Sequence, residues 1–214
     1  MRTVLFDVDG VLIHGYGGEV QRRRRWDEHL QADLGIDPAR FRDLFIKDVF
    51  EREVLTGRKA LLTALEETLP ALGFRGSPFI VAGYWLDRDS QINLQLLEVV
   101  RRLRRVPGIR LYIATNQEHL RAFHLWNRLG FGLLFDDMFH SARLGALKPT
   151  PAFYRTIEEI IGPQSVPPLI FDDSEAVVGS ARAFGWEATL YNKLDDCLAH
   201  SWIARALAED REAG

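Results

Sequence analysis

Four short segments carry the side chains that could do chemistry together. Asp7-Val8-Asp9-Gly10 closes an apolar run, Thr115-Asn116 follows the run IRLYIA, Lys148-Pro149 sits in a loop, and Asp172-Asp173-Ser174 follows a second apolar run. If these segments meet, they present three or four carboxylates, a hydroxyl with an adjacent amide, and one amine. Carboxylates crowded at one place repel each other unless a divalent cation sits among them. Oxygen ligands without a cysteine or histidine cluster favour Mg²⁺. A Mg²⁺ ion with few protein ligands keeps its waters and takes up a phosphate oxygen. Thr115 and Lys148 are then natural donors to the remaining phosphate oxygens. A carboxylate such as Asp7 can itself attack phosphorus and form an acyl phosphate.

The elements around these segments must bring them to one edge. Thr3–Val8 is short, apolar and rich in β-branched residues, and it ends in a turn at Asp9-Gly10, as a buried parallel strand does. Strands are also expected at 109–114, within 133–139, at 168–171 and at 188–191. Helices are expected between them, at 91–105, 117–129, 151–161 and 175–184. Such alternation implies an α/β fold with a doubly wound, Rossmann-like parallel sheet, and ligands of such sheets sit at the carboxyl ends of the strands. Residues 19–89 break the alternation. Trp26, Leu30 and Leu34 recur at spacing four before Gly35. Asp37-Pro38 opens a helix with Phe41, Leu44, Phe45 and Val49. Leu61, Leu62, Leu65 and Leu69 form a stripe ended by Pro70. Pro78 opens a fourth helix with Ile80, Val81, Tyr84 and Trp85. This reads as a small all-helical insert after the first strand. The expected division is a core of 1–16 and 91–214 with an insert of 17–90, joined by linkers near Gly15, Gly17 and Gly18 and near Asp87–Ser90.

The four segments, in this order and on these elements, resemble the four motifs of the haloacid dehalogenase superfamily. The resemblance covers residues 1 to about 16 and 91 to 192. It implies that Asp7 is the nucleophile and that Asp9 is the acid that protonates the leaving alcohol and later activates water. Asp7, the Asp9 backbone carbonyl and Asp173 are the implied Mg²⁺ ligands, with Asp172 holding metal-bound water. Thr115, the Asn116 N–H and Lys148 are the implied phosphate donors. Many members carry a further acid where this chain has Val177. The dehalogenases that name the family lack an acid at the place of Asp9, so phosphoryl transfer is the expected chemistry here. The helical insert resembles the family's small cap, and its short form is similar to that of phosphatases acting on sugar phosphates. The implied activity is hydrolysis of a small phosphorylated metabolite. A phosphomutase using the same two acids, or a catalytically silent binding module, are the rival readings.

Each residue also has a plainer reading. Asp7 and Asp9 fit a strand-to-turn junction, and Asn116 and Ser174 fit helix caps. Asp172-Asp173 suits the start of a helix, and Lys148 a solvated loop. Only four of the 27 basic residues are lysines, which argues that position 148 wants a compact point charge. Arg22–Arg25 and Arg101, Arg102, Arg104 and Arg105 read as solvated helix faces, and His14 and His119 as ordinary polar residues. Trp26, Trp85 and Phe50 are expected in the core of the insert. A net charge of −3 offers no field for nucleic acid. No apolar run approaches the ~20 residues that span a bilayer. The single cysteine, Cys197, fits a reducing cytoplasm.

Overall fold

The computed structural model describes residues 1–14 and 25–212, and in it five parallel strands form one sheet in the order β3-β2-β1-β4-β5. The strands are β1 (Arg2–Phe6), β2 (Ile109–Thr115), β3 (Asp137–His140), β4 (Leu169–Asp172) and β5 (Glu187–Leu190). All five residues of β1 are buried. Val4 and Phe6 pack on one face with Leu111, Ile113, Leu169 and Phe171, while Leu5 packs on the other with Tyr112, Ala114 and Ile170. A strand covered on both faces favours apolar residues on both sides, which is why Val4, Leu5 and Phe6 are apolar in succession. The register pairs Phe6 with both Ile113 and Phe171, so the carboxyl ends of β1, β2 and β4 lie level. After β2 and β3 the chain returns to the opposite side of β1 to form β4. Asp7 therefore emerges at the place where the strand order reverses, the usual ligand crevice of such sheets.

Between β1 and β2 lies the all-helical insert: α1 (Leu30–Leu34), α2 (Pro38–Phe41) continuing as a π-helical stretch Arg42–Val54, α3 (Leu61–Thr68) and α4 (Pro78–Arg88). The local signals act as expected. Gly35 ends α1 at φ 71°, and the Asp37 carboxylate accepts the Arg40 N–H before Pro38 opens α2. The α-helical run of α3 ends at Thr68, just before Pro70, which sits in a following 3₁₀ turn, Leu69–Leu72, where its missing N–H is harmless. The insert has its own core. The Trp26 and Trp85 rings stack 4.7 Å apart, with Phe41, Phe45 and Phe50 around them. Each such ring pair is worth about 0.5–1.5 kcal/mol beyond its burial. Leu44 and Ile80 lie outside this core, 40% and 50% exposed.

The insert rests on the sheet domain as a cap. At Gly57, φ 72°, a Cβ would stand 2.3 Å from the Ala142 carbonyl oxygen, so only glycine lets this loop lie against the core. Leu120 packs into the cap cluster from the core side. The linkers run together: the His14 N–H donates to the Gln91 carbonyl (2.7 Å), and the Asn93 amide donates to the Val11 carbonyl (2.9 Å). The expected hinge at Gly15, Gly17 and Gly18 lies outside the described residues, as does Arg22–Arg24. The second linker starts at Asp89, later than expected, because α4 runs on to Arg88.

The remaining helices are α5 (Leu94–Arg105), α6 (His119–Phe123) continuing as a π-helical turn to Arg128, α7 (Ser141–Leu144), α8 (Pro151–Ile161), α9 (Glu175–Phe184), α10 (Leu194–Leu198) and α11 (Ser201–Glu212). The last helix, α11, docks on α5. Asp210 on α11 takes Arg102 at 3.1 Å and Arg105 at 2.8 Å, so the basic run of α5 serves in part to dock the last helix. Among the described residues no helix is long and apolar enough to cross a membrane.

Candidate active site

The end of β1 sets the first group. The Asp7 N–H donates to the Phe171 carbonyl (2.9 Å), which continues the sheet ladder one residue beyond β1. The Asp7 side chain turns inward and is buried. Its Oδ1 accepts from the Val8 N–H at 2.7 Å and from Lys148 Nζ at 2.9 Å, which fixes the rotation of the carboxylate. Gly10 follows at φ 78°, and a Cβ there would lie 2.1 Å from Asp173 Oδ2. Glycine is required at this position twice over, for the backbone conformation and for the approach of the turn to the loop after β4.

Lys148 is buried among the acids. Its Nζ donates to Asp172 Oδ2 (2.6 Å), to Asp7 Oδ1 (2.9 Å) and to the Ala114 carbonyl (3.0 Å), which together use all three ammonium protons. Asn116 latches the lysine's backbone from both sides, donating to the Lys148 carbonyl (3.0 Å) and accepting the Lys148 N–H (2.9 Å). Burial works against the lysine's charge, but Asp7 and Asp172 outweigh it and hold the amine above its usual range. Burial drives the Asp7 carboxyl upward; Lys148 opposes this and Asp172 adds to it. Asp173 is pushed up to about 6 by burial and by Asp172.

Asp7, Asp172 and Asp173 each offer an oxygen, all within 4.8 Å of one another. Among the described residues three carboxylates face one ammonium, a formal excess of two negative charges in a mostly buried site. A divalent cation offsets that excess, and an all-oxygen donor set suits Mg²⁺. The Asp9 side chain lies outside this group. Its Oδ1 takes Arg121 at 2.6 Å and its Oδ2 takes the Gln117 amide at 2.5 Å. Thr115, the last residue of β2, is buried beside the group's edge of the sheet. Val177, in the first turn of α9, is buried, and its N–H is capped by Ser174.

A cavity of about 520 Å³ lies between cap and core. The core side is Asp9, Asn116, Gln117 and Arg121; the cap side includes Trp26, Arg42, Ile46, Phe50, Leu55 and Trp85. The three aromatic residues thus belong to the cap core and also show an edge to the cavity. Sequence reasoning did not single out Gln117, Glu118, Arg121 or Asp89. Glu118, rather than Asn116, caps α6 by accepting the Leu120 and Arg121 N–H groups at 2.6 and 2.5 Å. Glu118 falls inside the helix expected at 117–129, so no local signal set its capping role apart. His119 is exposed and meets the edge of His140, with ring centroids 5.3 Å apart.

Comparison with known proteins agrees with this geometry. The family described as haloacid dehalogenase-like hydrolase matches residues 1–185. No curated protein matches the chain. Among solved structures, a haloacid dehalogenase family enzyme from Bacteroides thetaiotaomicron in its magnesium complex is 18% identical. It superposes with a TM-score of 0.75 over 96% of this chain and 98% of that one. The same enzyme has been solved with magnesium and inorganic phosphate (TM-score 0.73, 18% identity, 89% and 93% of the two chains). A HAD-like family hydrolase from Porphyromonas gingivalis gives 0.70 at 20% identity over 99% and 98%. L-2-haloacid dehalogenase from Xanthobacter autotrophicus gives 0.61 at 21% over 95% and 83%. At these identities the likeness to each structure is one of fold.

Proposed function

Because this chain belongs to the haloacid dehalogenase-like hydrolases, we propose that it is a Mg²⁺-dependent phosphatase that hydrolyses a small phosphomonoester through an aspartyl-phosphate on Asp7. The observation that carries the reading is the convergence of Asp7, Asp172 and Asp173 on one point with, among the described residues, a single compensating amine. Asp7 and Asp173, with Asp172 behind them, would hold Mg²⁺, which would supply positive charge for a phosphate dianion. Asp7 attacks phosphorus as the ester P–O bond breaks, and Asp9 gives its proton to the leaving alcohol oxygen. Asp9 then takes a proton from the water that attacks the acyl phosphate, which frees inorganic phosphate and restores Asp7. Thr115 and the Asn116 N–H orient the phosphoryl oxygens. Lys148 already has three acceptors, so it serves them by sharing the N–H aimed at Asp7, and its first task is to hold the acids in place. The cavity's volume supports a small metabolite such as a sugar phosphate over a polymer. In this reading 1–16 and 91–214 form the catalytic core and 17–90 the lid that excludes water.

Phosphate release from a panel of phosphorylated metabolites, with and without metal, tests this reading. Chelation should abolish turnover, Mg²⁺ should restore it, and Ca²⁺ should inhibit, because the larger ion takes more ligands and engages both Asp7 oxygens. Full activity after exhaustive chelation removes the metal role. Isomerised product without phosphate release makes the protein a mutase, and a preference for phosphopeptides or oligonucleotide ends removes the small-substrate reading.

A further inference from the structure

Arg121 joins the site to the cap. Arg121 is buried, 6% exposed, on α6. One terminal nitrogen donates to Asp9 Oδ1 at 2.6 Å and to the Asp89 carbonyl at 3.2 Å, and the other donates to the Asp89 carboxylate. Asp89 is 3% exposed and is the C-cap of α4, where the cap returns to the core. Its Oδ2 also accepts from the Trp85 indole N–H at 3.1 Å, and Trp85 belongs to the stacked pair at the centre of the cap. A continuous chain of bonds therefore runs from the cap core through Trp85, Asp89 and Arg121 to Asp9. Gln117 holds the second Asp9 oxygen from the core side. A planar guanidinium with donors in a fixed fork can hold two acceptors at a set separation, which a flexible ammonium cannot. A protonated carboxyl group can still accept from Arg121 on one oxygen while the other carries the proton.

We infer that Arg121 is a positioning residue for the leaving-group step: it sets the Asp9 carboxyl at the angle from which it protonates the departing oxygen, and it ties that angle to the seating of the cap through Asp89. The inference rests on the phosphatase reading with Asp9 as the acid. Its signature is dependence on the leaving group. An ester whose alcohol leaves easily as an anion needs little help from an acid, whereas a poorer leaving group needs a well-placed one.

The experiment measures kcat/KM, which reports the steps up to the first irreversible one, for 4-nitrophenyl phosphate and phenyl phosphate with Mg²⁺ present. The proteins are wild type, Arg121→Met, Arg121→Lys and Asp89→Asn. Arg121→Met should lose at least about tenfold more on phenyl phosphate than on 4-nitrophenyl phosphate. Arg121→Lys should recover part of that difference, and Asp89→Asn should show the same selectivity to a smaller degree. If Arg121→Met does not fold, the Lys and Asn variants decide by the same ratio. An equal loss on both esters, no loss, or a gain overturns the inference, because each means that Arg121 acts on stability or binding, or restrains Asp9. Wild type inactive on both esters overturns the phosphatase reading instead, and the inference falls with it.

Discussion

Asp7→Asn should lower kcat by at least about three orders of magnitude, which corresponds to more than ~4 kcal/mol of transition-state stabilisation. An amide keeps the shape of the carboxylate and is a very poor nucleophile. The fold should survive. Burial drives the Asp7 carboxyl upward, so the ionised form is disfavoured by folding and a neutral amide relieves that penalty. Measured with a chelator present, the Tm of Asp7→Asn should be no lower than that of wild type. Near-normal turnover in this variant removes the covalent mechanism, and a collapse of Tm with lost turnover makes Asp7 a structural residue first.

Lys148→Ala is expected to show the second large effect, on stability and on rate. The ammonium is the single cation bonded to Asp7 and Asp172 among the described residues, and all three side chains are buried. Removing one partner of a buried ion pair costs about 3–5 kcal/mol, since the charge left behind has neither solvent nor counter-ion. Mg²⁺ should restore part of the lost Tm by supplying positive charge at the same place. The rate loss should be about 2–4 kcal/mol in kcat/KM, on the order of 30- to 1,000-fold. Lys148→Arg should lose less but still lose, because a planar fork does not reproduce three donors radiating from one atom. Unchanged kcat/KM and Tm in Lys148→Ala would place the lysine outside the site.

Much of this arrangement is legible in the sequence because it rests on local signals. Val4, Leu5 and Phe6 are apolar in succession because β1 is covered on both faces, and the helices over 151–161 and 175–184 begin at Pro151 and just after Ser174 as their capping residues direct. The four polar segments stand where strands end, so a parallel sheet with a level edge brings them together. Other features come from tertiary packing, which local pattern does not encode. Ile80 and Leu44 fit an apolar helical stripe yet face solvent, because the cap core is filled by the larger rings of Trp26, Phe41, Phe45 and Trp85. β3 lies at Asp137–His140, late in the expected 133–139 window, since a 3₁₀ turn takes up Phe131–Leu133. The Asp9–Arg121–Asp89 bridge spans 32 residues from Asp89 to Arg121 and 112 from Asp9 to Arg121, and nothing in the local spacing of an arginine-rich chain marks Arg121 out.

The central claim is that phosphate passes through a covalent bond to Asp7. It is tested most directly by mixing the Mg²⁺-loaded protein with a hydrolysed phosphomonoester, quenching in acid within a turnover, and mapping the phosphorylated residue by peptide mass spectrometry. The account predicts one phosphoryl group on Asp7, absent from Asp7→Asn and absent when metal is chelated. Phosphate release with Asp7 unmodified throughout, or with the label on another residue, contradicts it.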